Sequence, residues 1–188
     1  MARRMAWSYE PVATEPTAMS DALLPDQLDP DALVWAAART TLDTRGTVTL
    51  VKEPSHSALI VRIPVATLVD SNFKLLLDID PATASLVLGI EARCDQYVAD
   101  HADYLQPRST GFDTFRSALR HDAILSCKLS SKFVAIDGVT GRMSGSHLFY
   151  QNPKYTYVTD AVMCLGCVWR RAAEAGVSWY MMGAIFHY

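Results

Sequence analysis

The stretch that most constrains the fold of this chain is its last third, from residue 124 to residue 188. Apolar and β-branched residues form runs there, and turn signals rich in glycine, asparagine and proline separate the runs, which is typical of β-strands. The predicted strands are residues 124–129, 132–136, 147–150, 155–171 and 177–188. Turns are predicted at Ser130–Ser131, at Asp137–Gly141 and at residues 151–153, and either a turn or a short helical segment is predicted at residues 172–176. The sequence therefore predicts a β-rich back half.

The front half adds three strands and the best helix of the chain. The strands are predicted at residues 47–51, 57–65 and 73–79. Asp80 is the expected N-cap and Pro81 the first helical residue of a helix that reaches about Tyr104. One stripe of this helix is apolar and the other face carries acidic side chains, so we expect it to lie on a sheet. Shorter helices are predicted at residues 29–39 and 112–121.

The N-terminal residues 1–30 differ from the rest of the chain. Four prolines recur in this segment, and proline fixes φ and removes a backbone donor, so neither a long helix nor a central strand is expected. We predict an extended, proline-rich arm over residues 1–30 that is disordered or laid on a partner, followed by a single β-rich domain over residues 31–188.

Composition argues against a membrane protein. The longest apolar run, residues 161–169, is far shorter than the roughly 20 residues that a membrane-spanning helix needs. The basic N-terminus is not followed by the apolar stretch of a secretory signal, and the early Glu10 and Glu15 count against the alternative of a transit peptide. The four cysteines lie in apolar or strand-like segments and are expected to be reduced thiols. The predicted location is intracellular, with no choice between cytoplasm, nucleus and virion.

No motif in the sequence specifies a reaction. Cys164 and Cys167 form a C-x-x-C, but a zinc ribbon needs a second pair, and on a strand the two thiols would point to opposite faces. The five histidines are scattered, and neither a phosphate-binding glycine loop nor a G-x-S-x-G elbow is present. The sequence predicts a protein without catalytic activity, metal or cofactor. A hydrolase or nuclease would require acidic residues such as Asp78, Asp80 and Glu91 to converge.

Charge and aromatic residues are unevenly distributed along the chain. Residues 1–104 carry 8 Lys and Arg against 15 Asp and Glu, whereas residues 105–188 carry 9 against 5 and hold 12 of the 18 aromatic residues. Unpaired nucleic-acid strands are held by basic grooves and by rings that stack on bases. We expect Trp169, Trp179 and Phe186 in the core. The predicted nucleic-acid-binding residues are Arg116, Arg120, Lys128, Lys132, Phe133, Arg142, Tyr150, Lys154, Tyr155, Tyr157, Arg170 and Arg171.

The order of elements and three local sequences resemble one family. Residues 128–133 read K-L-S-S-K-F, the next-to-last strand contains Cys167-Val168-Trp169, and the last strand opens with Gly176-Val177-Ser178-Trp179. This pattern, over residues 45–188, resembles the OB-fold single-stranded DNA-binding proteins of large DNA viruses and phages. The resemblance implies a groove lined by aromatic and basic side chains, and no catalysis.

The expected fold class is therefore α+β, mainly β: an OB-like or related antiparallel barrel with one long amphipathic helix. The expected function is non-catalytic binding of single-stranded DNA or RNA, with no membrane partner and with homo-oligomer contacts through residues 1–30. The alternative is a viral or assembly structural subunit, coat-like, whose N-terminal arm makes the contacts between subunits.

Overall fold

The computed structural model describes residues 22–41, 46–55, 58–70, 75–101, 114–121, 123–145, 155–171 and 174–188. Short 3-10 turns occupy Pro25–Gln27 and Pro30–Ala32. The strands and the helix of the described ranges are β1 Val34–Trp35, β2 Arg39–Thr41, β3 Gly46–Thr49, β4 Val51–Lys52, β5 Ile60–Asp70, β6 Leu75–Ile79, α1 Pro81–Asp100, β7 Thr114–Arg116, β8 Leu119–Arg120, β9 Ile124–Asp137, β10 Met143–Gly145, β11 Tyr157–Arg171 and β12 Glu174–His187. The prediction of a mainly β chain with one long helix is confirmed.

Most strands belong to one sheet that closes on itself. Hydrogen-bonded neighbours follow the order β2-β3-β11-β5-β6-β9-β12-β7, and an additional β11–β12 pairing joins β11, β5, β6, β9 and β12 into a closed ring of strands. Within this ring β9 and β12 are parallel and the other neighbours are antiparallel. The sheet is thus not purely antiparallel, because β12 inserts between β9 and its own hairpin partner β11. Strands β8 and β10 pair with β9, and β1 pairs with β4 in a separate small sheet.

One face of the ring is the core of the protein. Alternate residues of the five strands are buried there, for example Leu77 on β6, Leu125 on β9 and Met163 on β11. The helix adds its own stripe, in which Val87, Ile90 and Cys94 follow helical spacing; further members are Ala84 and Val98. Trp179 and Phe186 on β12 are 2% and 0% exposed, so their predicted place in the core is confirmed. We call the opposite face of the strands the outer face.

The long helix begins where the sequence predicts. An oxygen of the Asp80 carboxylate accepts hydrogen bonds from the backbone N–H groups of Ala82 at 2.9 Å and Thr83 at 3.0 Å, and Pro81 is the first helical residue. These bonds satisfy donors that a helix start leaves unpaired. A hydrogen bond from the Thr83 hydroxyl lowers the pKa of Asp80. The helix ends at Asp100, and residues 102–104 of the predicted helix lie outside the described residues.

Two predicted short helices are wrong. The first, residues 29–39, is a 3-10 turn followed by β1 and the start of β2, and the described part of the second, residues 114–121, forms β7 and β8. Pairing with distant strands overrides the local pattern in both segments. Arg39 pairs with Val48 in the first, and Arg116 and Leu119 pair with Gly176 and Leu125 in the second.

The predicted turn at Ser130–Ser131 is also wrong, although the ladder is irregular at that place. Strand β9 continues through both serines. Its pairing with β12 passes from Leu129 to Val134 while β12 advances only from Met181 to Gly183. A large bulge in β9, in which residues 130–133 have no paired partner in β12, therefore takes the place of a turn.

The predicted hairpin turn at Asp137–Gly141 is confirmed. Asp137 accepts hydrogen bonds from the N–H groups of Val139 at 3.1 Å and Thr140 at 2.7 Å, and Gly141 has a φ of 67°, which favours glycine. Hydrogen bonds from Thr140, first the backbone and then the side chain, lower the pKa of Asp137 to about 2. The predicted strand 147–150 and the turn 151–153 lie outside the described residues.

The described end of the predicted arm lies on the sheet. The N–H of Leu23 donates to the carbonyl of Ile60 at 3.1 Å, and the carbonyl of Leu23 accepts from Arg62 at 2.8 Å. Residues 1–21 of the arm lie outside the described residues. In the described ranges, no helix is both long enough and apolar enough to cross a membrane.

Candidate functional site

Two aromatic rings lie on the outer face, each against a glycine of the neighbouring strand. Trp169 on β11 is opposite Gly176 on β12, and a Cβ added to Gly176 would lie 2.7 Å from Cζ2 of the indole. In the reverse direction, a Cβ on Gly166 of β11 would lie 2.5 Å from Cε2 of Tyr180 on β12. Each strand therefore supplies one ring and one glycine, and only glycine leaves room for the ring to lie on the sheet.

A cation stands near each ring. The Lys128 ammonium lies 5.7 Å from the centroid of Tyr180, and the Arg171 guanidinium lies 5.8 Å from the centroid of Trp169. Both distances are within the range of cation–π attraction, to which an exposed pair contributes about 0.5–1 kcal/mol. Lys128 and Arg171 are exposed, whereas both rings are half-buried. The pKa of Tyr180 is raised, chiefly because the ring is partly buried.

The sheet register brings two more arginines to the same row as Trp169. Arg39 on β2 pairs with Val48, Val48 pairs with Trp169, Trp169 pairs with Gly176, and Gly176 pairs with Arg116 on β7. Paired residues project from the same face of a sheet. At about 4.8 Å per strand, this row spans roughly 19 Å.

We call this surface the basic–aromatic strip. At its border the Glu174 carboxylate on β12 forms an ion pair with Arg116 on β7. Helix α1 contributes its buried residues to the core cluster on the other face of the sheet. The strip consists of Arg39, Arg116, Lys128, Trp169, Arg171 and Tyr180.

The two thiols of the C-x-x-C lie beside these rings, on one face. Cys164 pairs with Tyr180 and Cys167 pairs with Ser178, two outer-face positions of β12. The expectation of opposite faces is wrong because a bulge between Leu165 and Cys167 shifts the alternation by one residue. Burial raises the pKa of both thiols to about 11, so they are protonated at neutral pH. No group of three His, Cys, Asp or Glu able to hold a metal ion occurs in the described ranges.

Half of the strip was predicted from the sequence. Arg116, Lys128 and Arg171 are among the predicted site residues, whereas Arg39 and Tyr180 were missed and Trp169 was assigned to the core. The available signal was Gly166 within a strand, since an interior glycine often marks a close approach of another group. Identifying Tyr180 as that group required the register of β11 against β12.

Two predicted site residues are corrected by their burial. Phe133 is 3% exposed and packs edge-to-face against Phe186 at 5.9 Å between centroids, so its ring offers no surface to a base. Arg170 is 6% exposed because it alternates with the outer-face residues Trp169 and Arg171 and therefore points to the core face.

The remaining predicted residues do not meet the strip. Tyr157 is exposed and stacks on His187 at 4.5 Å, and Tyr155 is half-buried against Phe186 at 5.2 Å, with burial raising its pKa to about 12. Tyr157 and Arg171 are the two ends of β11, about 45 Å apart along an extended strand of this length. Exposed cations on β8, in the β9 bulge and before β10 are Arg120, Lys132 and Arg142. Tyr150 and Lys154 lie outside the described residues.

The acidic residues of the hydrolase alternative do not converge. Asp80 is the N-cap of α1, and Glu91 lies three turns further along the same helix, about 16 Å at 1.5 Å per residue. Glu91 is buried and accepts hydrogen bonds from the Ser117 hydroxyl and, at 2.9 Å, from the N–H of Ala118. Through these hydrogen bonds Glu91 joins α1 to the segment before β8.

Comparison of the chain with protein-family models, curated proteins and solved structures finds no match.

Proposed function

We propose that the protein binds single-stranded nucleic acid, without catalysis, on the basic–aromatic strip. The observation that carries the proposal is the pair of rings with a cation beside each: Tyr180 with Lys128 and Trp169 with Arg171. Rings that stack on bases and cations that neutralise phosphates are the two contacts by which proteins hold unpaired strands of any sequence.

The positions of the cations and rings in the free protein indicate how a nucleic-acid strand would bind. In the free protein each cation is attracted to its ring, and in the complex a base takes the place of the cation on the ring while the cation moves to a phosphate. Stacking contributes about 1–3 kcal/mol per base, which exceeds the contribution of an exposed cation–π pair, so the exchange is favourable. Gly166 and Gly176 leave room for the two rings to lie against the neighbouring strand.

The strand order supports an OB-like assignment as part of this proposal. The ring has five strands, the parallel pairing of β9 with β12 leaves the sequential order, and one helix packs against the core. In the OB architecture, a five-stranded Greek-key barrel, oligonucleotides bind on the second and third strands and on two loops. The third strand of this ring is β9, which carries Lys128.

The test is a binding titration with labelled oligo-dT and oligo-rU at low salt, read by fluorescence anisotropy. Tyr180→Leu is expected to weaken binding by about 5- to 150-fold, the loss of one stacked base. The matched control is Tyr157→Leu, since Tyr157 is an exposed ring at the far end of β11. Lys128→Gln is expected to weaken binding, and its control is Lys132→Gln on the same strand.

Circular dichroism of each variant separates lost binding from lost folding. Wild-type protein that fails to bind either oligonucleotide at low salt would overturn the proposal. Folded Tyr180→Leu and Lys128→Gln variants that bind like their controls would remove the strip as the site.

A second candidate function, an assembly subunit, is favoured by a different observation. One row of paired residues crosses five neighbouring strands, β5, β11, β12, β9 and β10. Its members, in that order, are Val65, Thr159, Ile185, Ile136 and Met143. Val65 is 56% exposed and Met143 69% exposed, and exposed apolar patches of this kind mark interaction surfaces. Mass measurement by size exclusion with light scattering distinguishes the two functions: a large symmetric particle favours assembly, and a monomer or dimer that binds oligo-dT favours the strip.

A further inference from the structure

A groove separate from the strip lies between β1 and the C-terminal half of α1. Its volume is about 360 Å³, within the range of small-molecule sites. Its walls combine apolar and aromatic residues before and within β1 and on α1 with polar side chains from successive turns of the helix.

A column of stacked rings forms one wall. Trp35 on β1 stacks on Tyr97 of α1 with centroids 5.0 Å apart and planes within 1°, and Tyr97 stacks on His101 at 4.2 Å. Parallel rings at 5.0 Å are offset from each other, so part of each face is not covered by its neighbour. All three rings are half-buried, and a planar ligand can extend this column.

Among the polar residues of the groove, Gln96 and Asp100 supply acceptors and Arg93 supplies a cation. His101, next to Asp100, shares a hydrogen bond through Nδ1 with the Tyr97 carbonyl at 2.9 Å. Gln96 donates its amide N–H to one oxygen of Asp100 at 2.7 Å, which holds the second carboxylate oxygen and the Gln96 carbonyl as neighbouring acceptors. Arg93 lies two turns before Asp100, about 10 Å along the helix axis.

We propose that this groove binds a purine nucleoside monophosphate whose base presents adjacent N–H donors, the guanine type. The base extends the ring column, its donor edge bonds the Asp100–Gln96 pair, and its phosphate reaches Arg93.

Arg93 makes two contacts in the free protein that are weak enough for a phosphate to replace them. Asp31 lies 3.4 Å from Nε of Arg93, but its side chain is 83% exposed, and exposed ion pairs contribute little to stability. The guanidinium also lies 5.8 Å from the Trp35 ring, an attraction that a phosphate can replace. The proposal does not depend on the strip, because the groove lies on α1 and β1, and no strip residue belongs to it.

The test is isothermal titration calorimetry of the full chain with GMP, with CMP and with guanosine. GMP is expected to bind more tightly than CMP, which lacks the adjacent donors, and more tightly than guanosine, which lacks the phosphate. Asp100→Ala and Gln96→Ala are exposed helix positions and should fold. Each is expected to weaken GMP binding by about tenfold or more. Asp95→Ala, an exposed acidic residue of the same helix outside the groove, is the control.

Competition identifies the source of the base. If a short G-containing single strand displaces GMP and oligo-dT does not, the groove binds a guanine base of a nucleic-acid strand. If GMP binds and neither strand displaces it, the groove binds the free nucleotide. No GMP binding at millimolar concentration, or equal affinity of Asp100→Ala and Asp95→Ala, overturns the proposal. GMP binding retained in Tyr180→Leu keeps this result independent of the strip.

Discussion

At the scale of single residues, two acidic side chains occupy unusual environments. Asp160 has a φ of 52°, in the left-handed region, at an irregular place in β11, and it accepts a hydrogen bond from Nε of Arg62 at 2.9 Å. Glu91 is buried, and the cost of burial exceeds the help of its hydrogen bonds, so its pKa is raised. Both positions are therefore sensitive to small changes of side chain.

Asp160→Ala is expected to be less stable than Asp160→Gly. Both variants lose the bond from Arg62, which is partly exposed, but only alanine retains a Cβ that the left-handed conformation disfavours. The Cβ penalty, reduced by the greater freedom of glycine in the unfolded chain, leaves a difference of up to about 1 kcal/mol. Urea unfolding measures it, and equal midpoints for the two variants would contradict the strain at this position.

Glu91→Gln is expected to change how stability depends on pH. A pKa above the usual 4.5 in the folded state means that ionisation of Glu91 costs stability, and the cost grows as pH rises from near 4.5 through the folded-state pKa. Glutamine keeps an acceptor for the Ala118 N–H and does not titrate. The difference in melting temperature, Glu91→Gln minus wild type, should therefore increase over this pH interval.

The measurement is thermal unfolding of both proteins between pH 4 and pH 8. Asp95→Asn, on the exposed side of α1, is the control and should follow the wild-type profile. A constant difference between Glu91→Gln and wild type at every pH would show that Glu91 has no raised pKa.

At the scale of elements, the β11–β12 hairpin determines the position of the strip. The two strands run from Tyr157 to Arg171 and from Glu174 to His187, and their bulges place Cys164, Cys167 and Trp169 on one face. Gly166 and Gly176 differ in what surrounds them. Ring atoms of Tyr180 are the nearest neighbours of Gly166, whereas Gly176 also faces the carbonyl oxygen of Arg116 at 2.8 Å from an added Cβ.

Gly176→Ala is therefore expected to destabilise the protein more than Gly166→Ala. A half-buried tyrosine ring can move away, but the backbone of β7 cannot move without losing its pairing with β12. Overpacking of this kind costs about 1–3 kcal/mol. Denaturant unfolding compares the two variants, and a larger loss in Gly166→Ala would mean that the Tyr180 ring is fixed rather than mobile.

At the scale of the whole molecule, the pairing of distant strands brings charged residues from different parts of the chain to one surface. Arg39 comes from the acidic front half, and Lys128 and Arg171 come from the basic back half. The asymmetry of charge along the sequence therefore describes the strip incompletely. If the strip holds phosphates, the response of binding to salt depends on these cations together.

The double variant Arg39→Gln with Arg171→Gln is expected to flatten the salt dependence of oligonucleotide binding. Each phosphate contact to a single strand contributes about 0.7 to the slope of log K against log salt, so the slope should fall in magnitude by about 1.4. Anisotropy titrations over a salt series measure it. The control pair, Arg120→Gln with Arg142→Gln, removes the same charge outside the strip, and an equal change in the control would indicate unspecific attraction.

The sequence by itself determined the local features of this protein. The dominance of strands, the start of α1 at Asp80 and Pro81, the hairpin at Asp137 and the burial of Trp179 and Phe186 all follow from patterns of a few neighbouring residues. Each depends on hydrogen bonds or apolar spacing within one element, and those are written in consecutive residues.

Only the tertiary structure decided which side chains share a surface. The meeting of Arg39, Trp169 and Arg116 depends on the register of strands far apart in the chain, and a shift of one residue would turn each side chain to the other face. The irregularities in the β9–β12 and β11–β12 pairings are such shifts, and the one between Leu165 and Cys167 moved Cys167 to the face of Tyr180. Pairing between distant strands sets their place, so no stretch of sequence shows it.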